Sequence, residues 1–215
     1  MPKELLTENE ARQLYVDGDA AHDFDHVLRV ARMAERIALA EGADLLVVRL
    51  AAYLHDVPVE EPSHEARLAH HLRAAQFARK LLLDRGMEPQ KVENVEHCIQ
   101  AHRFRDQSIQ PNTLEAQCVY DADKLDSIGA IGVGRAFTFA GAFGHRLWTE
   151  PITQTPPYEA RPKNGDYTPT HELVYKLQKL QDTLFTKTAR QIGVERHRFM
   201  LAFFKQLDDE MLGLA

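Results

Sequence analysis

The chain has 215 residues and a formal net charge of −6, and charged residues make up 27% of it. This acidic balance argues against a dedicated nucleic-acid-binding protein, because such proteins gain their affinity by neutralising phosphates. Two cysteines are too few for a disulfide scaffold. The sequence contains no run of 18 apolar residues, the length that would indicate a membrane helix. The charged N-terminal stretch has no apolar signal region, so we expect a cytoplasmic protein.

Helical periodicity begins near the N-terminus. Thr7 and Glu10 predict a capping box at the start of a first helix. A second helix is predicted to end at Gly42, since glycine readily adopts the left-handed conformation that closes a helix. The run LLVVRLAAYLHD after Asp44 is apolar on nearly every side, which places it at the centre of the fold, and Pro58 is expected to end it.

The remaining elements are also predicted to be helices. One should close at Gly86, the next should begin at Pro89, and a single helix should run from about Leu114 through VYDADKLDSIGAIGVGRAF. We find no segment with the two-residue alternation of a strand. The predicted fold class is therefore all-α.

Residues 144–168 interrupt this pattern. They hold most of the prolines and show no period, which indicates a long loop. We expect one domain over 1–215, with a core at 18–130 and C-terminal helices at 169–215. In that last part a helix starting at Pro169 is predicted to carry a stripe of leucines, Leu173, Leu177, Leu180 and Leu184.

Four polar residues are set into apolar helical stripes. His26 precedes Val30 by one turn, His55 ends the most hydrophobic helix, Asp56 follows it, and Asp123 lies one turn after Val119. A single buried histidine is usually a hydrogen-bonded core residue. A buried carboxylate is harder to explain, because it costs several kcal/mol unless it is paired or bound to a metal. One divalent cation shared by three helices would satisfy all four side chains.

The order His, His-Asp, Asp resembles the motif of the HD superfamily of metal-dependent phosphohydrolases. The resemblance is carried by HDFDHVLRVARMAERIA, RLAAYLHDV and YDADKLDSIGAIGVGRAF, and it extends through KLQKLQDTLFTKTARQIGVERHRFM. The third stretch is similar to a bacterial branch that includes nucleotide pyrophosphatases. The resemblance implies an all-α HD domain that hydrolyses a phosphoester or phosphoanhydride bond, with a small phosphate or nucleotide as substrate. It leaves a homodimer open.

The resemblance also implies a metal site made of His26, His55, Asp56 and Asp123. Two imidazoles with two carboxylates favour one divalent transition metal ion, and Mn²⁺ is our first choice before Fe²⁺, Co²⁺, Ni²⁺, Zn²⁺ or Mg²⁺. An ion there could lower the pKa of a bound water and polarise a phosphorus centre.

Further roles are assigned around this site. Asp56, Lys124 and Glu60 are predicted to be catalytic, with Glu60 as a proton donor or water-orienting group. Substrate binding is assigned to Arg103, His102 and Lys124, where the cations would neutralise phosphate oxygens. For each of them a surface or structural role weighs equally at this point.

Two rival functions remain open at the level of sequence. Branches of the superfamily with two metals recruit extra histidines, and His71, His97 and His102 are candidates here, so a di-iron oxygenase is the first alternative. The second is a catalytically silent nucleotide-binding protein, and the intact ligand set argues against it.

Overall fold

The structure is a computed structural model, and it describes residues 5–15, 24–58, 70–103 and 108–215. Within these ranges the chain forms helices and no strands, which confirms the predicted all-α class. No helix in the described ranges is both long enough and apolar enough to cross a bilayer. The α-helices are α1 Glu8–Gln13, α2 Phe24–Glu41, α3 Leu45–Leu54, α4 His70–Asp84, α5 Pro89–Gln100, α6 Leu114–Asp126, α7 Gly129–Ala142, α8 Pro169–Tyr175 and α9 Lys187–Met211.

The ends of the first helices follow from local chemistry. The Thr7 hydroxyl accepts the Glu10 amide while the Glu10 carboxylate accepts the Thr7 amide, as the predicted capping box requires. Asp44 caps α3 by accepting the amides of Leu46 and Val47. Gly42, at φ +84°, follows α2 in the left-handed conformation expected of it.

The chain divides into two compact units. The first comprises the described residues up to Asp123 together with Phe185–Ala189, and the second comprises Lys124–Leu184 with Arg190–Ala215. In the first unit α3 lies at the centre, packed against α2 and α5, and from Val47 to Leu54 its apolar side chains are almost fully buried. This confirms the central place predicted for α3. The predicted segments 18–130, 144–168 and 169–215 stay predictions as domain boundaries.

A buried carboxylate holds the start of α9 within the first unit. Asp121 lies on α6 and is fully buried. Its carboxylate accepts the Phe185 amide at 2.9 Å, and it accepts both the amide and the hydroxyl of Thr186 at 2.7 Å. These bonds satisfy main-chain donors just before a helix begins, where intrahelical partners are missing.

The single helix predicted from Leu114 to about residue 137 is wrong, because the chain breaks it into α6 and α7. Ile128 is extended and Gly129 has φ +74°, a conformation that favours glycine. A side chain at Gly129 would also collide, since its Cβ would lie 2.9 Å from Cβ of Arg196. Glycine therefore permits both the turn and the close approach of α9.

The single helix predicted through the leucine stripe is also wrong. The α-helix ends at Tyr175, and Leu177–Thr183 forms a 3₁₀-helix. With three residues per turn, Leu177 and Leu180 share one side of that helix, and both are buried. The hydrophobic face predicted from the stripe is thus retained although the helix type changes.

The loop at 144–168 carries more structure than its composition predicts. Three short 3₁₀-helices occupy Ile152–Gln154, Tyr158–Ala160 and Asn164–Asp166. Its first part is tied to α9, because the Asp208 carboxylate accepts the Trp148 indole N–H at 2.8 Å and the Ile152 amide at 2.9 Å. The carboxylate thus holds two points of the loop at once.

We expect Asp208→Ala to loosen this part of the loop and to cost about 2 kcal/mol, because two partly buried donors lose a charged acceptor. Trp148 is the only tryptophan, so its fluorescence reports the change directly. Its emission should shift to the red while the far-ultraviolet circular dichroism stays unchanged. Asp209→Ala, on the same helix, is the matched control. Equal emission spectra for both variants would contradict the tether.

Candidate metal centre

The first two histidines of the motif come from neighbouring helices of the first unit. His26 lies in the first turn of α2 and His55 directly follows α3. Both side chains are almost inaccessible to solvent. Their ring centroids are 5.4 Å apart in an edge-to-face arrangement. The central position of α3 therefore brings two imidazoles together inside the unit.

The hydrogen bond of His55 decides which ring nitrogen is available. Nδ1 lies 2.8 Å from the Ala52 carbonyl oxygen, so it carries the proton and donates it there. Burial lowers the pKa of His55 to about 4, so the ring is neutral at pH 7. Nε2 then presents a lone pair, and this buried atom has no hydrogen-bond partner within the described ranges. A metal ion would satisfy it.

Asp56 lies between two groups of imidazoles. Its Oδ2 is 3.5 Å from Nε2 of His55 and 3.8 Å from Nε2 of His26. Its Oδ1 is 3.2 Å from Nε2 of His70 and 3.4 Å from Nε2 of His102. Burial acts to raise the pKa of Asp56, but the imidazoles, His55 foremost, hold that pKa well below its usual range. The carboxylate is therefore ionised, and each of its oxygens faces the Nε2 atoms of two histidines.

Asp123 completes the group around His26. Its Oδ1 is 3.5 Å from Nε2 of His26. The donor atoms of His26, His55 and Asp123 all lie within 4.8 Å of one another, a spacing that one cation could bridge. The structure thus brings together the four side chains predicted as ligands, with Asp56 beside the other three.

A second set of donors adjoins the first. Asp56, His70 and His102 also have one donor atom each within 4.8 Å of the others. Nδ1 of His102 lies 2.6 Å from the Ile99 carbonyl oxygen, which directs Nε2 towards Asp56 just as Ala52 directs Nε2 of His55. A lone pair facing a carboxylate oxygen is unfavourable unless a proton or a cation lies between them. His102, predicted to bind substrate, has the geometry of a ligand.

The other predicted residues are placed differently. Lys124 is buried on α6 directly after Asp123 and belongs to the second unit. Arg103 follows His102 and is partly exposed. Glu60 lies outside the described residues. Nε2 of His97 accepts the Asn112 amide at 3.1 Å, so this histidine joins two segments of the first unit and belongs to neither donor group.

Sequence reasoning singled out His71 and missed its neighbour His70. Both precede alanines of the buried α4 stripe by one turn, since Ala74 follows His70 by four residues and Ala75 follows His71 by four. Spacing alone therefore cannot choose between them. In the structure His70 approaches Asp56, while His71 is buried with its ring 6.5 Å from that of His102.

With this geometry in place, the comparisons with known proteins decide the family. The model of the HD domain matches residues 23–128, which include all four predicted ligands. The YpgQ protein of Bacillus subtilis (strain 168) is 34% identical to this chain over 99% of the chain and 97% of YpgQ. The chain belongs to the HD-domain family. The HD match spans α2 to α6, and so includes His26 on α2, His55 and Asp56 directly after α3, and Asp123 on α6.

Solved structures of HD proteins agree with this assignment. A crystal structure of Bacillus subtilis YpgQ in complex with ADP is 31% identical, has a TM-score of 0.71, and covers 94% of this chain and 92% of YpgQ. An HD-superfamily hydrolase from Bacillus thuringiensis is 27% identical with a TM-score of 0.71, and the match covers 95% and 94% of the two chains. The chain is a metal-dependent phosphohydrolase of the HD type.

Proposed function

We propose that this HD protein hydrolyses a phosphoester or phosphoanhydride bond of a nucleotide with a divalent metal ion held by His26, His55, Asp56 and Asp123. The observation that carries the proposal is the buried Nε2 of His55, which has no hydrogen-bond partner among the described residues and lies 3.5 Å from an ionised Asp56. Burying a polar atom without a hydrogen-bond partner costs free energy of folding, and a bound cation would remove this cost. Mn²⁺ suits the mixed nitrogen and oxygen donors.

The residues of the chain prepare the site for this reaction. The Ala52 carbonyl oxygen holds the His55 ring in the tautomer that leaves Nε2 free to bind. Asp56 and Asp123 supply negative charge that offsets the charge of the ion. When bound, the ion would lower the pKa of a water molecule and polarise the phosphorus centre. The roles of Lys124, Arg103 and Glu60 in binding phosphate and moving a proton stay predictions.

A nucleotide is favoured as the substrate class because YpgQ, which is similar over nearly its whole length, forms a complex with ADP. The similarity extends beyond the metal-binding helices into the C-terminal part of the chain. We therefore expect recognition of a nucleoside with its phosphates, rather than of inorganic polyphosphate or a phosphosugar.

A substrate screen tests this proposal. Metal-free protein would be supplied with Mn²⁺ and incubated with nucleoside mono-, di- and triphosphates, cyclic nucleotides and non-nucleotide phosphate esters, and released phosphate and pyrophosphate would be measured separately. We expect turnover of at least one nucleotide, with complete loss of turnover in excess chelator. Turnover that persists in chelator, or turnover of phosphosugars alone, would overturn the proposal. Binding without turnover would identify a silent nucleotide-binding protein.

A di-iron oxygenase is the second candidate, and the donor group of Asp56, His70 and His102 is the observation that favours it. Asp56 also faces His26 and His55 with its other oxygen, so the two adjacent groups could hold two ions on either side of this carboxylate. Metal analysis separates the candidates, because two irons per chain, a visible absorption band and oxygen consumption would indicate an oxygenase. Phosphate release with Mn²⁺ and no oxygen uptake would indicate the hydrolase.

A further inference from the structure

One tyrosine of the first unit contacts both elements that carry the predicted histidine ligands. Tyr15 follows α1, and its side chain is buried. Its hydroxyl donates to the Tyr53 carbonyl oxygen at 2.9 Å, in the last turn of α3. Its ring lies 5.5 Å from that of Phe24, the first residue of α2 and two positions before His26. Tyr15 thus joins the end of α3 to the start of α2.

The hydroxyl meets a carbonyl in the last turn of α3, where the chain leaves the regular helix. In a continuing helix the Val57 amide would donate to the Tyr53 oxygen, but this amide donates to Leu54 instead, at 3.4 Å. The neighbouring Ala52 oxygen is taken by Nδ1 of His55. Two successive carbonyls at the end of α3 are therefore bound by side chains, one from His55 and one from Tyr15.

The same hydroxyl lies close to Asp56. It accepts a hydrogen bond from the Asp56 main chain while it donates to the Tyr53 carbonyl oxygen. It spans the turn of the chain from Tyr53 to Asp56, on which His55 and Asp56 are carried.

We propose that Tyr15 is a positioning residue for the metal centre and sets the backbone turn that aims His55 and Asp56. This inference rests on the proposed function. Tyr15 touches no ion or substrate and acts through the two ligands. Partners behind metal ligands typically change metal affinity by 10–100-fold when they are removed. Because Tyr15 acts through one peptide turn, we expect an effect near the lower end of that range.

The test is Tyr15→Phe, which removes the hydroxyl and keeps the ring against Phe24. Affinity for Co²⁺ and Mn²⁺ would be measured by calorimetry on metal-free protein, and the visible spectrum of the Co²⁺ protein would be recorded. We expect about 10-fold weaker binding and a changed Co²⁺ spectrum. Unchanged affinity together with an unchanged spectrum would overturn the inference.

Tyr175→Phe is the matched control. Tyr175 also donates its hydroxyl to a main-chain carbonyl, that of Pro156, at 2.8 Å, but it lies in the second unit. Both variants lose one hydrogen bond from a tyrosine hydroxyl to a carbonyl oxygen, so the Tm values of the two metal-free proteins should fall by similar amounts. Only Tyr15→Phe should weaken metal binding. Equal weakening in both variants would point to a general loss of stability and contradict positioning.

The outcomes also separate this inference from the proposed function. If the unaltered protein binds no divalent ion, or binds ions without hydrolysing any phosphate compound, the proposed function fails. If the unaltered protein binds the ion and Tyr15→Phe binds it equally well, the role of Tyr15 alone fails.

Discussion

Asp56→Ala is expected to lower kcat/KM for the proposed nucleotide hydrolysis at least about 10³-fold, equivalent to about 4 kcal/mol of transition-state stabilisation. The reason is the central position of this carboxylate, which approaches His26 and His55 with one oxygen and His70 and His102 with the other. Its removal takes away a proposed ligand oxygen and the negative charge that faces the four imidazoles. Metal content, measured by plasma mass spectrometry, should fall in parallel.

Asp123→Ala should behave in the same way, because Asp123 shares a donor group with His26 and His55. Asp84→Asn is the control, since Asp84 is an exposed carboxylate at the end of α4 and its loss should leave turnover and metal content unchanged. Full turnover in Asp56→Ala and Asp123→Ala would show that the ligand assignment is wrong. Lost turnover with full metal content would assign the carboxylates to the chemistry rather than to metal binding.

Asp121→Ala is expected to cost about 3 kcal/mol of unfolding free energy, because one buried carboxylate accepts three hydrogen bonds at the start of α9. For a chain of this length that loss corresponds to a fall in Tm of roughly 6–12 °C. The amides of Phe185 and Thr186 would be left without an acceptor where the helix provides none. Urea unfolding followed by circular dichroism measures the change.

Asp121 lies two residues before Asp123, so the measurement belongs in chelator, where bound metal adds nothing to stability. Asp121→Asn provides a graded comparison. An amide keeps one acceptor oxygen and lacks the charge. The free energy of unfolding of Asp121→Asn should therefore lie between those of the native protein and Asp121→Ala. A stability for Asp121→Ala within about 0.5 kcal/mol of the native protein, the usual range for surface substitutions, would show that this carboxylate does not hold α9.

Periodicity determined the helical character of the chain and the buried faces of its helices. The apolar stripe of α2 from Val27 to Ala38, which recurs at helical spacing in the sequence, is buried, and the apolar run of α3 lies at the centre of its unit. These features follow from sequence because the side-chain repeat of a helix and the cost of exposing apolar surface are local properties. For the same reason His26 and His55, set into apolar stripes, could be recognised as buried, whereas Asp56 and Asp123 keep 11% and 13% of their side chains exposed.

Helix breaks were decided by contacts between distant residues. Gly129 ends the run that begins at Leu114 because a left-handed glycine lets α9 approach at Arg196. A sequence offers no sign that Arg196 will lie there. The change from α-helix to 3₁₀-helix after Tyr175 could not be predicted from the leucine stripe either. The spacing of Leu177 and Leu180 places them on one side of either type of helix.

The amino-acid sequence by itself determined the helices, their apolar faces and the burial of His26 and His55, because these depend on the repeat of the helix and on the chemistry of each side chain. Only the tertiary structure decided that His70 rather than His71 approaches Asp56, that Asp208 holds the loop through Trp148, and that Tyr15 reaches the end of α3. Each of these is a contact between segments far apart along the chain, and its geometry depends on how whole helices pack.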